Sequence, residues 1–203
     1  MMAKAAAALV ALICWIALAI QFSLTFASQH EVVTTLWVLV RFFTIITNFL
    51  VAIVMTIVAI DRPVSPLVLG GVTLAILLVG VVYATLLAGL EHPRGLAALA
   101  NNLLHKVSPV AMTLWWLLFA PRARLKSDAP LVWAAYPVAY FAYALTRGHF
   151  DGRYPYPFID VGKIGWTQTA LNAGGIALGF IIAGYALVWI DGWRPLGSKR
   201  AKS

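Results

Sequence analysis

Two residues have the chemical character and the surroundings for catalysis: Thr44, in Arg41-Phe42-Phe43-Thr44-Ile45-Ile46-Thr47-Asn48, and His105, in Ala100-Asn101-Asn102-Leu103-Leu104-His105-Lys106. A threonine hydroxyl is a weak nucleophile until a base removes its proton, and histidine, titrating near neutrality, is the commonest such base. Such a pair also needs a group that orients the imidazole and donors for an oxyanion. Arg41, Asn48, Asn101, Asn102 and His149 are of suitable type, and spacing alone does not choose among them. For Thr44 and Thr47 the simpler role is a hydrogen bond back to a carbonyl one turn earlier, and for His105 an interhelical hydrogen bond. Both stretches are strongly apolar, and an ionisable residue within such a segment is by default a functional-site candidate.

The elements that must position them are membrane helices. Of 203 residues, 62% are hydrophobic and 11% charged, and the mean hydropathy is +0.88, beyond the range of soluble domains. Continuously apolar runs at roughly 5–27, 33–60, 66–90, 97–120, 130–147 and 166–190 each reach the length of about 20 residues that crosses a bilayer. The expectation is an all-α integral membrane bundle of six helices, with residues 1–203 forming a single transmembrane domain. The first run follows Lys4 and ends near small residues, as a signal peptide would, but its spanning length favours a retained helix. The net charge of +8 is dispersed among helix ends, which argues against a nucleic-acid surface. Nine cations (Lys4, Arg62, Arg122, Arg124, Lys126, Arg194, Lys199, Arg200 and Lys202) fall on one side, against four on the other (Arg94, Arg147, Arg153 and Lys163), which places both termini in the cytoplasm. Cys14 is the only cysteine, so neither an intrachain disulfide nor a thiolate metal site is expected.

In that topology Thr44 and His105 fall at similar depth in the outer half of the bilayer. Arg41, Thr44 and Asn48, spaced three and four apart, share one helical face; Asn101, His105 and Ser108 share another. Arg41 and Lys106 would each cost about 2.5–3.5 kcal/mol at a helix centre, so Arg41 should face protein or water and Lys106 should snorkel outward. The connection after the fifth run, Thr146 to Gly162, combines charge, tyrosines and prolines. A loop of that length and composition is functional or forms part of an aromatic belt.

The stretches RFFTIITNFLVA, ANNLLHKVSP and RYPYPFIDVG, in that order, resemble the bacterial branch of the androgen-induced-gene-like family of multispanning membrane proteins. The resemblance covers nearly the whole chain. It implies an intramembrane hydrolase of fatty acid esters of hydroxy fatty acids, or related amphiphilic lipid esters, with Thr44 as nucleophile and His105 as base. It also implies that His149 and Asp160 match positions of the family's loop, and that the chain lies in a bacterial cytoplasmic membrane. Membrane lipids and the ester are the expected partners, with no nucleic acid, cofactor or metal. The alternative is a small-solute or ion transporter or channel lined by Arg41, Asn48 and His105. A haem protein would need embedded axial histidines, and only His105 is clearly embedded.

Overall fold

A computed structural model describes residues 1–90, 92–121 and 124–193. Arg122, Arg194, Lys199, Arg200 and Lys202, used in the charge comparison, lie outside the described residues. The architecture is all-α. Helix α1 (Met2–Gln29) ends at His30, whose left-handed backbone returns its N–H to Phe26 O. Helix α2 (Val32–Leu39) starts at Glu31, whose carboxylate accepts the amides of Val33 and Thr34 at 3.0 and 2.6 Å. Two free amides at a helix start are thereby satisfied, and bonds from the Thr34 hydroxyl and amide hold this exposed carboxyl below its usual pKa. Helix α3 (Phe43–Ala59) follows, then α4 (Pro66–Val82), capped by Ser65 and continued by a π-helical turn, Tyr83–Leu87. Helix α5 is built from Gly95–Asn102, a π-helical turn Leu103–Val107 and Ser108–Phe119. Helix α6 (Ala129–Asp151), a 3-10 turn (Pro157–Ile159) and α7 (Val161–Trp193) complete the chain.

Among the described residues three helices are long and apolar enough to cross a membrane: Met2–Gln29, Pro66–Leu87 and Val161–Trp193. A fourth is added if α2 and α3 count as one broken span. Three to four such helices fit a multi-pass membrane protein. The exterior fits lipid as well. Leu171, Leu178, Ile182 and Trp189 on α7 are each about 60% exposed, whereas a soluble surface rarely keeps large apolar patches uncovered. Inside, Ala7, Val10, Ala11 and Cys14 of α1 pack in one core with Val51, Ala52 and Met55 of α3 and Met112, Trp115 and Trp116 of α5.

Three elements depart from the sequence-based expectation. The run 33–60 is two helices bent by 98° about Val40–Phe42, because apolar composition does not register a break whose backbone is satisfied from outside the segment. The fifth helix, expected over 130–147, continues to Asp151, so Arg147, His149 and Asp151 are helical. Helix α7 begins at Val161, ahead of the expected 166, around a non-helical Gly165 with φ of 76°, a conformation that suits glycine. The intervening loop is therefore short, residues 152–160.

That loop is held against α6 by close packing. A Cβ at Gly148 would come within 2.4 Å of the Tyr154 ring. Gly148→Val is expected to destabilise the protein by about 1–3 kcal/mol through overpacking, read as a lower unfolding midpoint in detergent.

Candidate functional site

The break between α2 and α3 creates the site. A helix interrupted inside an apolar bundle leaves carbonyls without partners, and each must be satisfied by other protein groups. Here Arg147 NH2 donates to Trp37 O at 2.6 Å, with its guanidinium 3.9 Å from the Trp37 ring centroid. Tyr140 donates its hydroxyl to Arg41 O at 2.7 Å. The Arg41 side chain turns to the loop, donating to Arg153 O and to Asp151 Oδ2, both at 2.8 Å. Asp151 also accepts from Arg147 Nε at 3.4 Å, so one carboxylate ties both buried arginines.

Arg41 lies in the turn, outside helix α3. It therefore does not share a helical face with Thr44 and Asn48, as straight-helix spacing had suggested. Thr44 instead occupies the first turn of α3, where no helical carbonyl lies one turn earlier to accept its hydroxyl. The side chain is freed for tertiary contacts. Its Oγ1 lies 3.3 Å from His105 Nε2 and 3.5 Å from the Tyr156 hydroxyl, and its backbone N–H donates to that same hydroxyl at 3.4 Å. Thr47 likewise meets a tyrosine, with its hydroxyl 2.9 Å from that of Tyr136.

His105 sits in the π-helical turn of α5, an irregularity often found at functional sites. Its Nδ1 lies 3.1 Å from Asn101 O. A carbonyl can only accept, so Nδ1 carries the proton and Nε2 presents a lone pair to Thr44. The Tyr83 ring stacks on the imidazole, 4.5 Å between centroids, and accepts Asn101 Nδ2 on its hydroxyl at 2.7 Å. The tautomer and the plane of the ring are thereby both set.

Asn48 fixes α3 against α5. Wholly buried, it donates from Nδ2 to Thr44 O at 2.9 Å and to Leu104 O at 3.1 Å, and accepts Ser108 Oγ on Oδ1 at 2.5 Å. Pro109 has no N–H to offer the preceding turn, and the Leu104 carbonyl takes side-chain donors instead, Ser108 Oγ at 3.2 Å among them. Every polar atom of the Asn48 amide is used.

Thr44 also borders an apolar cavity of about 350 Å³ between α3, α4, α6 and α7. Phe43, Thr44, Tyr140 and Tyr156 line it, together with Leu78, Val138, Ala177 and Phe180 among other apolar residues. Pro137, inside α6, also borders it. Thr44 is thus shared between the cavity and the imidazole.

The remaining sequence candidates lie apart. Asn102 and His149 are exposed, with His149 meeting the Phe150 ring, and Asp160 pairs with Lys163 at 3.2 Å. Lys106 is exposed with its ammonium 5.8 Å from the Tyr83 ring centroid. Among the described residues no cluster of three or more His, Cys, Asp or Glu is placed to hold a metal ion. The residues missed by sequence reasoning are Tyr83, Tyr140 and Tyr156. The tyrosine-proline alternation of the loop was the available signal, but spacing gave no sign that Tyr156 turns inward. No family model, curated protein or solved structure matches the chain.

Asn48→Leu removes three hydrogen bonds and leaves Leu104 O and Ser108 short of a partner. The expected loss is about 0.5–1.5 kcal/mol for each bond removed, measured by thermal unfolding in detergent, whereas Asn102→Leu should be nearly neutral.

Proposed function

We propose that the chain is an intramembrane hydrolase of amphiphilic lipid esters, with Thr44 as nucleophile and His105 as general base. One observation carries the reading: Thr44 Oγ1, His105 Nε2, His105 Nδ1 and Asn101 O form a single chain of contacts at 3.3 and 3.1 Å, beside a cavity suited to an acyl chain. The imidazole takes the hydroxyl proton as Oγ1 attacks the ester carbonyl, then returns it to the departing alcohol. Water, activated by the same imidazole, releases the acid from Thr44. A backbone carbonyl takes the place that a carboxylate fills in other triads; it fixes the tautomer without adding charge in an apolar setting. The resemblance of RFFTIITNFL, ANNLLHKVSP and RYPYPFIDVG to the androgen-induced-gene-like family points to fatty acid esters of hydroxy fatty acids or related esters as substrates.

Against a conduit, Arg41 is bound to the loop and Asn48 to two carbonyls and a hydroxyl, so neither offers free groups to a passing solute. For the topology we propose six crossings, by α1, the bent α2–α3 pair, α4, α5, α6 and α7, with both termini cytoplasmic. In support, α6 has 23 residues, about 34 Å at 1.5 Å per residue, and Lys4, Arg62, Arg124 and Lys126 all fall on the inner side. The site then opens near the outer leaflet of a bacterial cytoplasmic membrane.

Purified protein should hydrolyse a long-chain ester of a hydroxy fatty acid. Thr44→Ala should abolish turnover, and His105→Ala should lower kcat by about 10²–10⁴-fold, with both variants folded. Full activity in both variants would falsify the reading. A fluorophosphonate should label Thr44 and no longer label Thr44→Ala. Because only a neutral imidazole accepts the proton, kcat/KM should rise with pH through one ionisation and then level off.

A further inference from the structure

Attack by Thr44 on an ester converts the carbonyl oxygen to an oxyanion, and in an apolar site that charge needs donors placed in advance. The polar side chains around Thr44 are nearly all committed. Both hydrogens of Asn48 Nδ2 go to carbonyls, Asn101 Nδ2 goes to Tyr83, and the Arg41 guanidinium is bound to Arg153 O and Asp151. Two groups beside Thr44 Oγ1 still have a proton to offer a substrate: its own backbone N–H, in the uncapped first turn of α3, and the Tyr156 hydroxyl, whose oxygen also meets the Tyr140 hydroxyl and the Phe43 backbone. These contact one another and Oγ1 only at 3.4 and 3.5 Å, long for hydrogen bonds. Catalytic hydrogen bonds are often long before substrate arrives.

We infer that Tyr156 is a further catalytic residue of the Thr44 site, its hydroxyl and the Thr44 amide together forming the oxyanion hole. The inference rests on the hydrolase reading. Tyr156 and Thr44 both line the apolar cavity, so an acyl chain lodged there brings its carbonyl to Thr44 beside the Tyr156 hydroxyl. The Thr44 Oγ–C bond then forms as the carbonyl π pair moves to oxygen and the hydroxyl proton passes to His105 Nε2. Tyr156 keeps its proton and donates a hydrogen bond to the new charge. Collapse restores the carbonyl, breaks the bond to the alcohol oxygen and returns the proton to that oxygen. The amide of the nucleophile's own residue adds the positive end of a 17-residue helix.

The placement also explains how the loop is built. Tyr156 is carried on residues 152–160, which are fastened by Arg41 to Arg153 O, by the packing of Tyr154 on Gly148, and by Asn172 Nδ2 to Phe158 O at 2.9 Å. Its ring stacks on Phe158, 5.2 Å between centroids at 3°. Arg41 thereby becomes a positioning residue, joining the break that exposes the Thr44 amide to the loop that supplies the second donor.

Tyr156→Phe keeps the ring and its stacking and removes only the hydroxyl. Its kcat should fall about 10²–10³-fold with KM little changed. A long-chain trifluoromethyl ketone, which adds Thr44 Oγ to give a charged tetrahedral adduct, should bind the variant more weakly by a similar factor. Asn172→Ala, which removes the bond to Phe158 O from outside the cavity lining, measures the cost of loosening the loop with the hydroxyl retained, and it should lose much less kcat and little ketone affinity. If the wild type hydrolyses ester while Tyr156→Phe stays within about twofold in kcat and in ketone affinity, the oxyanion role is overturned and the hydrolase reading stands. The same holds if Asn172→Ala loses as much of both as Tyr156→Phe. A wild type that neither turns over ester nor binds the ketone overturns the reading and this inference together.

Discussion

Backbone carbonyls and amides buried away from water must find partners, and in an apolar bundle this requirement governs any interruption of a helix. The chain interrupts one at Val40–Phe42 and meets the requirement with groups distant in sequence. Arg147 and Tyr140 reach the carbonyls of Trp37 and Arg41, and the Arg41 side chain leaves the helix to bind the loop. The break turns what would be a mid-helix threonine into a helix-start threonine. Mid-helix, the Thr44 hydroxyl would bond the preceding turn, as Thr56 does with Ala52 O at 2.7 Å. At the helix start it faces His105, with its own amide turned to the Tyr156 hydroxyl beside it.

The second irregularity is matched to the first. Pro109 denies a donor to the turn before it, and the π-helical turn that carries His105 lies immediately upstream. Asn48, on α3, and Ser108, on α5, complete the Leu104 carbonyl, so the repair of one helix is also the bond that holds it to the other. Close approach of α4 to α5 assists, since a Cβ at Gly80 of α4 would come within 2.9 Å of Pro109. Thr44 and His105 are thus held by groups that touch neither the cavity nor the reacting atoms.

Arginine is well suited to this junction because its planar fork serves several acceptors at once. Arg147 donates to the Tyr143 hydroxyl, Trp37 O and Asp151, and lies over the Trp37 ring. Two buried cations share one carboxylate, and carbonyl and hydroxyl oxygens supply the remaining acceptors. Arg41, Arg147 and Asp151 therefore join α2, α6 and the loop into one unit.

Apolar run length, the prolines between runs and the dispersed charge were enough to show an all-α membrane-type chain, because hydropathy over about 20 residues is a local property. The polar residues Thr44, Asn48 and His105 stood out for the same reason, since each contrasts with its own neighbours. The run 33–60, the extent of α6, the place of Arg41 off the Thr44 face and the inward turn of Tyr156 were not legible. The break is stabilised by Arg147 and Tyr140, about a hundred residues away, and the loop by Arg41 and Asn172, so no local pattern records either. What the sequence by itself determined is which residues seek apolar surroundings and which few polar groups are out of place there. The tertiary structure alone decided which of those polar groups meet, because a buried hydrogen bond depends on direction and distance between helices, and these emerge only when the whole bundle packs.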